Sequence, residues 1–134
     1  MIVTQTQTLA LASEHDIVMA RQHVRKLCQQ LKFSLVDQTK MVTAASELAR
    51  NTLVHGGGGH MQVELLHDDA RKGLRLHFAD EGPGIPDMTL ALTDGWTSGN
   101  GLGMGLSGAR RLVNDFDIAT TVGAGTRVTI VRWT

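Results

Sequence analysis

Residues 46–56, SELARNTLVHG, decide how the rest of the chain is to be arranged. Met41, Ala44 or Ala45, and Leu48 recur at helical spacing, so the stretch reads as the second half of a helix with one apolar stripe. Glu47, Asn51 and Val54 run along an adjacent face, and the four-residue step from Glu47 to Asn51 sets their side chains one turn apart. A carboxylate there can take a proton, and a carboxamide oxygen suits a hard cation such as Mg²⁺. Asn is a poor helix former, which argues that its side chain has a task. Taken alone, the pair reads first as a solvated helix face.

Outward from this stretch the elements fall into order. Ser34 with Asp37 is a capping signal that opens the helix, and the run Gly56 to Gly59 ends it. Upstream, Ser13 with Asp16 is a variant capping box, with Asp in place of Glu or Gln. It begins a helix that reaches about Leu31 through Ile17, Ala20, Val24, and Leu27 or Cys28. Residues 3–11, mixing Val3, Leu9 and Leu11 with Thr and Gln, suit a strand near an edge. Downstream, residues 60–67 and 73–80 alternate as strands across the polar loop DDARKG. From Glu81 to about Gly103 there is little periodicity and much glycine, and a long irregular loop in a compact domain is often functional. A third helix is predicted from Met104 to about Phe116, then strands 118–122 and 126–133 around the turn VGAG. Helices segregated from a run of strands predict an α+β two-layer sandwich, with a mixed, mostly antiparallel sheet and three helices on one face.

The 134 residues are expected to form one domain, 1–134, with 42% hydrophobic residues to fill its core. Thirteen basic and thirteen acidic residues cancel, so no bulk field draws the chain to nucleic acid or an anionic membrane. No apolar run approaches the roughly 20 residues needed to span a bilayer. The opening MIVTQTQTLALAS lacks the basic and apolar regions of a secretory signal. The one cysteine, Cys28, sits in an apolar helical register and is read as core in a reducing, cytoplasmic setting. The six histidines have neither cysteine partners nor metal-site spacing, and His55 is placed to help end its helix.

Three further stretches carry chemistry. In DEGPGIP, 80–86, a strand ends in Asp80 and turns through Gly82 and Gly84. A plain turn explains it, and so does the floor of a pocket. An ionised Asp80 only accepts hydrogen bonds, which selects adenine's amine over guanine's carbonyl, while Gly82 and Gly84 admit a flat base. In GNGLGMGL, 99–106, glycine-rich backbone enters a helix, where free N–H groups favour an anion. Gly103 to Gly108 also matches G-x-G-x-x-G. That fingerprint requires a preceding strand and a later acid, and no Asp or Glu follows Asp117, so a dinucleotide fold is rejected. In GAGT, 123–126, a turn leads into Thr126, whose hydroxyl is placed to support Asp80 directly or through water. Trp96 in the glycine-rich loop is read equally as a partner anchor or as a pin holding the loop.

The four signals occur in the order and spacing of the GHKL (Bergerat-fold) ATPase superfamily. Glu47 with Asn51 resembles its N box, D-x-G-x-G at 80–84 its G1 box, GLGMGL at 101–106 its G2 box, and GT at 125–126 its last turn. Within the superfamily the chain is similar to the anti-sigma and switch serine/threonine kinases of bacterial partner switching. The carrying stretches are DIVMARQHVRKL, LVDQTKMVTAASELARN, DEGPGIPD, GLGMGLSGARRLVNDF and GTRVTIVRW. The resemblance implies transfer of the γ-phosphoryl of ATP to a Ser or Thr of a STAS-domain antagonist or scaffold, followed by engagement of a PP2C-type phosphatase, in sigma-factor and stress regulation. It makes Glu47 the base, Asn51 the Mg²⁺ ligand, and Asp80 the adenine reader. Gly82, Gly84 and Ile85 line the base. Gly101, Leu102, Gly103, Met104, Gly105 and Leu106 wrap the phosphates, and Thr126 closes the site. The glycine run 56–59 is richer than this family's pattern. Arg50 is expected in an ion pair on the helix face rather than on a phosphate.

Other readings stay open. A non-catalytic ATP-binding anti-sigma factor or adaptor is set against the kinase by the presence of both Glu47 and Asn51. A sensor histidine kinase module requires a phospho-acceptor hairpin for which the chain has no room. Machines of the Hsp90, gyrase or MutL kind require further domains.

Overall fold

The computed structural model describes residues 1–85 and 105–134. Eight elements follow one another: β1 (Ile2–Leu11), α1 (Glu14–Gln30), α2 (Leu35–Val54), β2 (Gly59–Asp68), β3 (Arg71–Asp80), α3 (Gly105–Arg111), β4 (Asp115–Thr121) and β5 (Gly125–Trp133). The strands form a five-stranded sheet in the order β1-β2-β3-β5-β4. All four pairings among the described residues are antiparallel, so the sheet is not mixed as the sequence suggested. Two tight hairpins, β2–β3 and β4–β5, fix two of these pairings, since a short connection can only join antiparallel strands.

Both capping signals act as expected. The Ser13 hydroxyl accepts from the Asp16 N–H and the Ser34 hydroxyl from the Asp37 N–H, each cap stabilising its helix by about 1 kcal/mol. Asp16 reaches back one residue beyond the cap, its Oδ2 accepting from the Ala12 N–H at 2.8 Å. Ile17, Ala20, Val24, Leu27 and Cys28 of α1 are buried, as are Met41, Ala44, Ala45 and Leu48 of α2. They meet the inward face of the sheet, Met61, Val63, Leu65, Leu74, Leu76, Phe78, Val128 and Ile130, in one core that also takes Leu106 and Ala109 of α3. Truncating a side chain as buried as Phe78 costs about 3–5 kcal/mol. Burial pushes the Cys28 thiol up to about 12, which leaves it an inert core residue.

Three boundaries differ from the sequence reading. The hairpin loop shrinks to Asp69 and Ala70, because Arg71, Lys72 and Gly73 pair with β2 and Asp69 takes the left-handed turn at φ 53°. Helix α3 stops at Arg111, and Phe116 lies in a strand. The helical spacing from Leu106 to Phe116 gives way to pairing with β5, where Phe116 faces Ile130 and Ile118 faces Val128. Asn114 marks the change: its side-chain Oδ1 accepts from the Trp133 N–H, and its backbone N–H donates to the Val131 carbonyl.

The opposite sheet face is polar. Glu64 accepts from Arg75 Nε at 2.7 Å and lies against His77 Nε2, while His77 Nδ1 stands 2.9 Å from Thr129 Oγ1. The Arg75 hydrogen bond holds the Glu64 carboxyl below its ordinary range. On the core side, Arg132 of β5 donates to the Leu112 carbonyl and to Asp37 in the first turn of α2. That bond to Arg132 lowers Asp37's carboxyl from its usual value.

Because Asp37 titrates lower in the folded chain, its contribution is complete above about pH 4 and is lost as pH falls through the native value. Asp37→Asn is expected to cost roughly 1 kcal/mol at neutral pH, about 3–5 °C in Tm. Thermal unfolding at pH 7 and pH 3 checks this, the gap between parent and variant closing at the acid end.

Candidate active site

Helix α2 delivers its functional face where its C-terminal end runs into the end of β3. Glu47 and Asn51 are both half-buried on α2, beside buried Leu48 and Thr52. Among the described residues neither side chain has a hydrogen-bond or ion-pair partner. Both side chains are partly exposed and uncommitted on one helix face, which leaves them available to a ligand. The Asn51 backbone is occupied: its carbonyl accepts from the N–H of His55 and of Gly56. His55 is thus the C-cap residue of α2. Arg50 pairs with Glu14 at 3.4 Å across the two helices, with both side chains well exposed.

The glycine run after α2 takes on distinct roles residue by residue. Gly57 and Gly58 turn the chain at φ 74° and 106°, conformations that L side chains rarely adopt. Gly56 lies directly on the Asp80 side chain, and any Cβ there would overlap the carboxyl group. Gly82 lies on Gly56 in turn, where a Cβ would come within 2.7 Å of the Gly56 Cα. Gly59 lies on the Ala79 carbonyl and the Thr52 methyl. The excess of glycine therefore joins α2 to β3 at backbone distance.

Asp80 ends β3 half-buried. Its Oδ1 accepts from the Gly82 N–H at 2.9 Å, which orients the carboxyl group and leaves Oδ2 for an outside donor. Gly84 turns at φ 77°, with the Thr121 carbonyl 2.5 Å from where a Cβ would stand. Half-buried Ile85 packs its side chain against the core. Thr126 is the register partner of Asp80 between β3 and β5. Its hydroxyl lies 2.9 Å from the Thr120 hydroxyl rather than on the Asp80 carboxyl.

The structure thus gathers the end of α2, Asp80, Gly82, Gly84, Ile85 and Thr126 at one end of the sheet. Gly105 and buried Leu106 open α3. Gly101, Leu102, Gly103 and Met104, and the loop residue Trp96, lie outside the described residues. Two residues escaped the sequence reading. Gly56 reads there only as a helix terminator, and Thr120 is one more β-branched residue in a strand.

Residues 36–133 match the family described as "Histidine kinase-, DNA gyrase B-, and HSP90-like ATPase", and the chain belongs to that family. Within it the chain is similar to the serine/threonine-protein kinase RsbT of Bacillus subtilis (strain 168). The two are 41% identical over 123 residues, which cover 92% of this chain and 92% of that protein. It is also similar to the anti-sigma F factor of Clostridium novyi (strain NT), at 28% identity over 88% of this chain and 86% of the relative. A solved structure of the RsbU and RsbW domains of a Mycobacterium tuberculosis protein shares the fold. Its TM-score is 0.62 at 19% identity, covering 96% of this chain and 32% of the other.

The Gly56 contact makes a sharp expectation. Gly56→Ala forces the Asp80 carboxyl aside and weakens ATP binding at least about tenfold, the scale of one lost charged hydrogen bond. Gly57→Asn keeps binding near the parent value, since Gly57 has open space around it and Asn tolerates its left-handed backbone. Calorimetric titration of both variants with ATP checks this.

Proposed function

We propose that this chain, as one domain over 1–134, is a partner-switching serine/threonine kinase that moves the γ-phosphoryl of ATP onto a hydroxyl of a STAS-domain protein. The observation that carries the reading is the half-buried pair Glu47 and Asn51, without partners among the described residues, on the helix that Gly56 fastens to Asp80. The similarity to a serine/threonine-protein kinase over 92% of the chain supports the reaction class.

In this reading Asp80 Oδ2 accepts from the adenine amine. Gly82, Gly84 and Ile85 lie under the base, and the run 101–106 surrounds the phosphates. The Asn51 amide oxygen, half-buried and uncommitted, fits a Mg²⁺ ligand, and the ion supplies charge neutralisation on the phosphates. Glu47 takes the proton of the acceptor hydroxyl as that oxygen bonds to the γ-phosphorus. The bond from phosphorus to the bridging oxygen breaks, and ADP leaves with the electron pair. Such transfer rests on positioning and electrostatics rather than covalent help.

No helix among the described residues is long and apolar enough to cross a membrane, which fits a cytoplasmic switch whose partners are proteins. After transfer the kinase releases the phosphorylated antagonist and engages a PP2C-type phosphatase. The similarity to an anti-sigma factor gives the second reading, an ATP-holding binder that transfers nothing.

Incubation with Mg²⁺-ATP and a STAS-domain protein, followed by intact-mass measurement, tests the proposal: one phosphate appears on the partner. Glu47→Ala is expected to abolish that transfer, by at least about 100-fold as for loss of a general base, while nucleotide affinity stays within about threefold. A variant that still phosphorylates the partner refutes Glu47 as base. The lone protein is expected to release ADP slowly, because the acceptor comes from the partner; brisk hydrolysis without it contradicts this account.

A further inference from the structure

Thr120 occupies a position that packing alone does not explain. Along β4 the half-buried residues are Phe116, Ile118 and Thr120, so the alternation calls for a third apolar side chain. Valine has the same shape as threonine without the hydroxyl, and it fits a half-buried strand position equally well. The hydroxyl is fully used. Thr120 Oγ1 accepts from the Ile85 N–H at 2.9 Å, lies 2.9 Å from Thr126 Oγ1, and donates to the Gly125 carbonyl at 3.3 Å. A hydroxyl has one proton and two acceptor positions. If Thr126 donates to it, these three contacts fill all of them, and the Thr126 hydroxyl keeps only acceptor positions for any other partner.

The same side chain therefore ties together two separate pieces of the candidate site. Loop 80–85 is held at its start by Asp80 on the Gly82 N–H. In the middle, the Gly123 N–H donates to the Pro83 carbonyl at 2.8 Å. At Ile85 the loop is held by Thr120. The β4–β5 turn must also come close, since a Cβ on Gly84 or on Gly125 would collide with backbone of the opposite piece. Van der Waals contact and the Gly123–Pro83 bond bring the two together, and among the described residues Thr120 joins the Ile85 N–H to the Thr126 hydroxyl near the start of β5.

We propose that Thr120 is a positioning residue for nucleotide recognition: its hydroxyl fixes the base-binding loop at Ile85 and, by taking the Thr126 proton, fixes the Thr126 hydroxyl as an acceptor. This rests on the reading of loop 80–85 as the floor of an ATP site, and it adds a residue from the edge strand to that site. Thr120 acts through Ile85 and Thr126 and does not itself touch the base.

The test compares Thr120→Val and Thr120→Ser with the parent chain by two measurements. One is the dissociation constant for Mg²⁺-ATP, the other hydrogen exchange of the Ile85 amide without nucleotide. Thr120→Val is expected to weaken ATP binding about tenfold, the scale of one lost hydrogen bond that strands a polar group, and to strip protection from the Ile85 amide. Thr120→Ser, which keeps the hydroxyl, restores affinity to within about twofold and keeps the amide protected. A merely structural role predicts that serine, having lost the methyl group, is the worse variant. The proposal is overturned if valine binds ATP as the parent does, or if serine fails to rescue. A parent chain that takes up no ATP overturns the nucleotide reading and the positioning role together. That failure is distinct, because the Ile85 amide would still lose protection in the valine variant.

Discussion

The end of α2 meets the end of β3 with only the Asp80 side chain between them, and the candidate site depends on that contact. Gly56 lies on the Asp80 carboxyl group and Gly82 lies on Gly56. A methyl group at Gly56 would push the Asp80 carboxyl aside, and one at Gly82 would meet Gly56 backbone, which cannot rotate away as a flexible side chain does. Close approach has a second effect. It places the end of the helix that carries the half-buried Glu47 and Asn51 against a carboxylate fixed by its own loop. In the proposed reading the helix supplies the proton acceptor and cation ligand, and the strand supplies the recognition of the base.

The sheet makes this contact rigid. Its inward face is continuous apolar side chain from β2, β3 and β5, and α1 and α2 lie over it as one layer. The rim is tied by charge: Arg132 reaches from β5 to Asp37 at the start of α2 and to the Leu112 carbonyl after α3. A kinase of this kind has little covalent chemistry to perform, so precise placement is its main contribution to rate. The well-packed two-layer fold provides the placement.

Much of this was legible in the residues. Ser13 and Ser34 announced two helices, because a hydroxyl before an apolar run satisfies N–H groups the helix cannot. Met61, Val63 and Leu65 announced a strand through period-two alternation. Local rules failed where two patterns overlapped. Leu106, Ala109, Leu112 and Phe116 keep helical spacing, yet Phe116 and Ile118 also alternate, and pairing with β5 took them into the sheet. The polar hairpin misled similarly: Arg71 and Lys72 are charged, but at the strand end they pair with Asp68 and His67.

The sequence by itself determined the apolar faces, the helix starts, and the glycine and acid positions of the site, because each follows from spacing or from one residue's backbone preference. It also carried the family, since the four short stretches stand in the right order and the comparison bears this out. Only the tertiary structure decided that Gly56 makes room for Asp80, that Thr126 bonds to Thr120 rather than to Asp80, and that Thr120 holds Ile85. Those are contacts between residues 24 to 35 positions apart or across a strand turn. Such contacts depend on how closely packed elements approach, a distance set by the whole core and by no single stretch of chain.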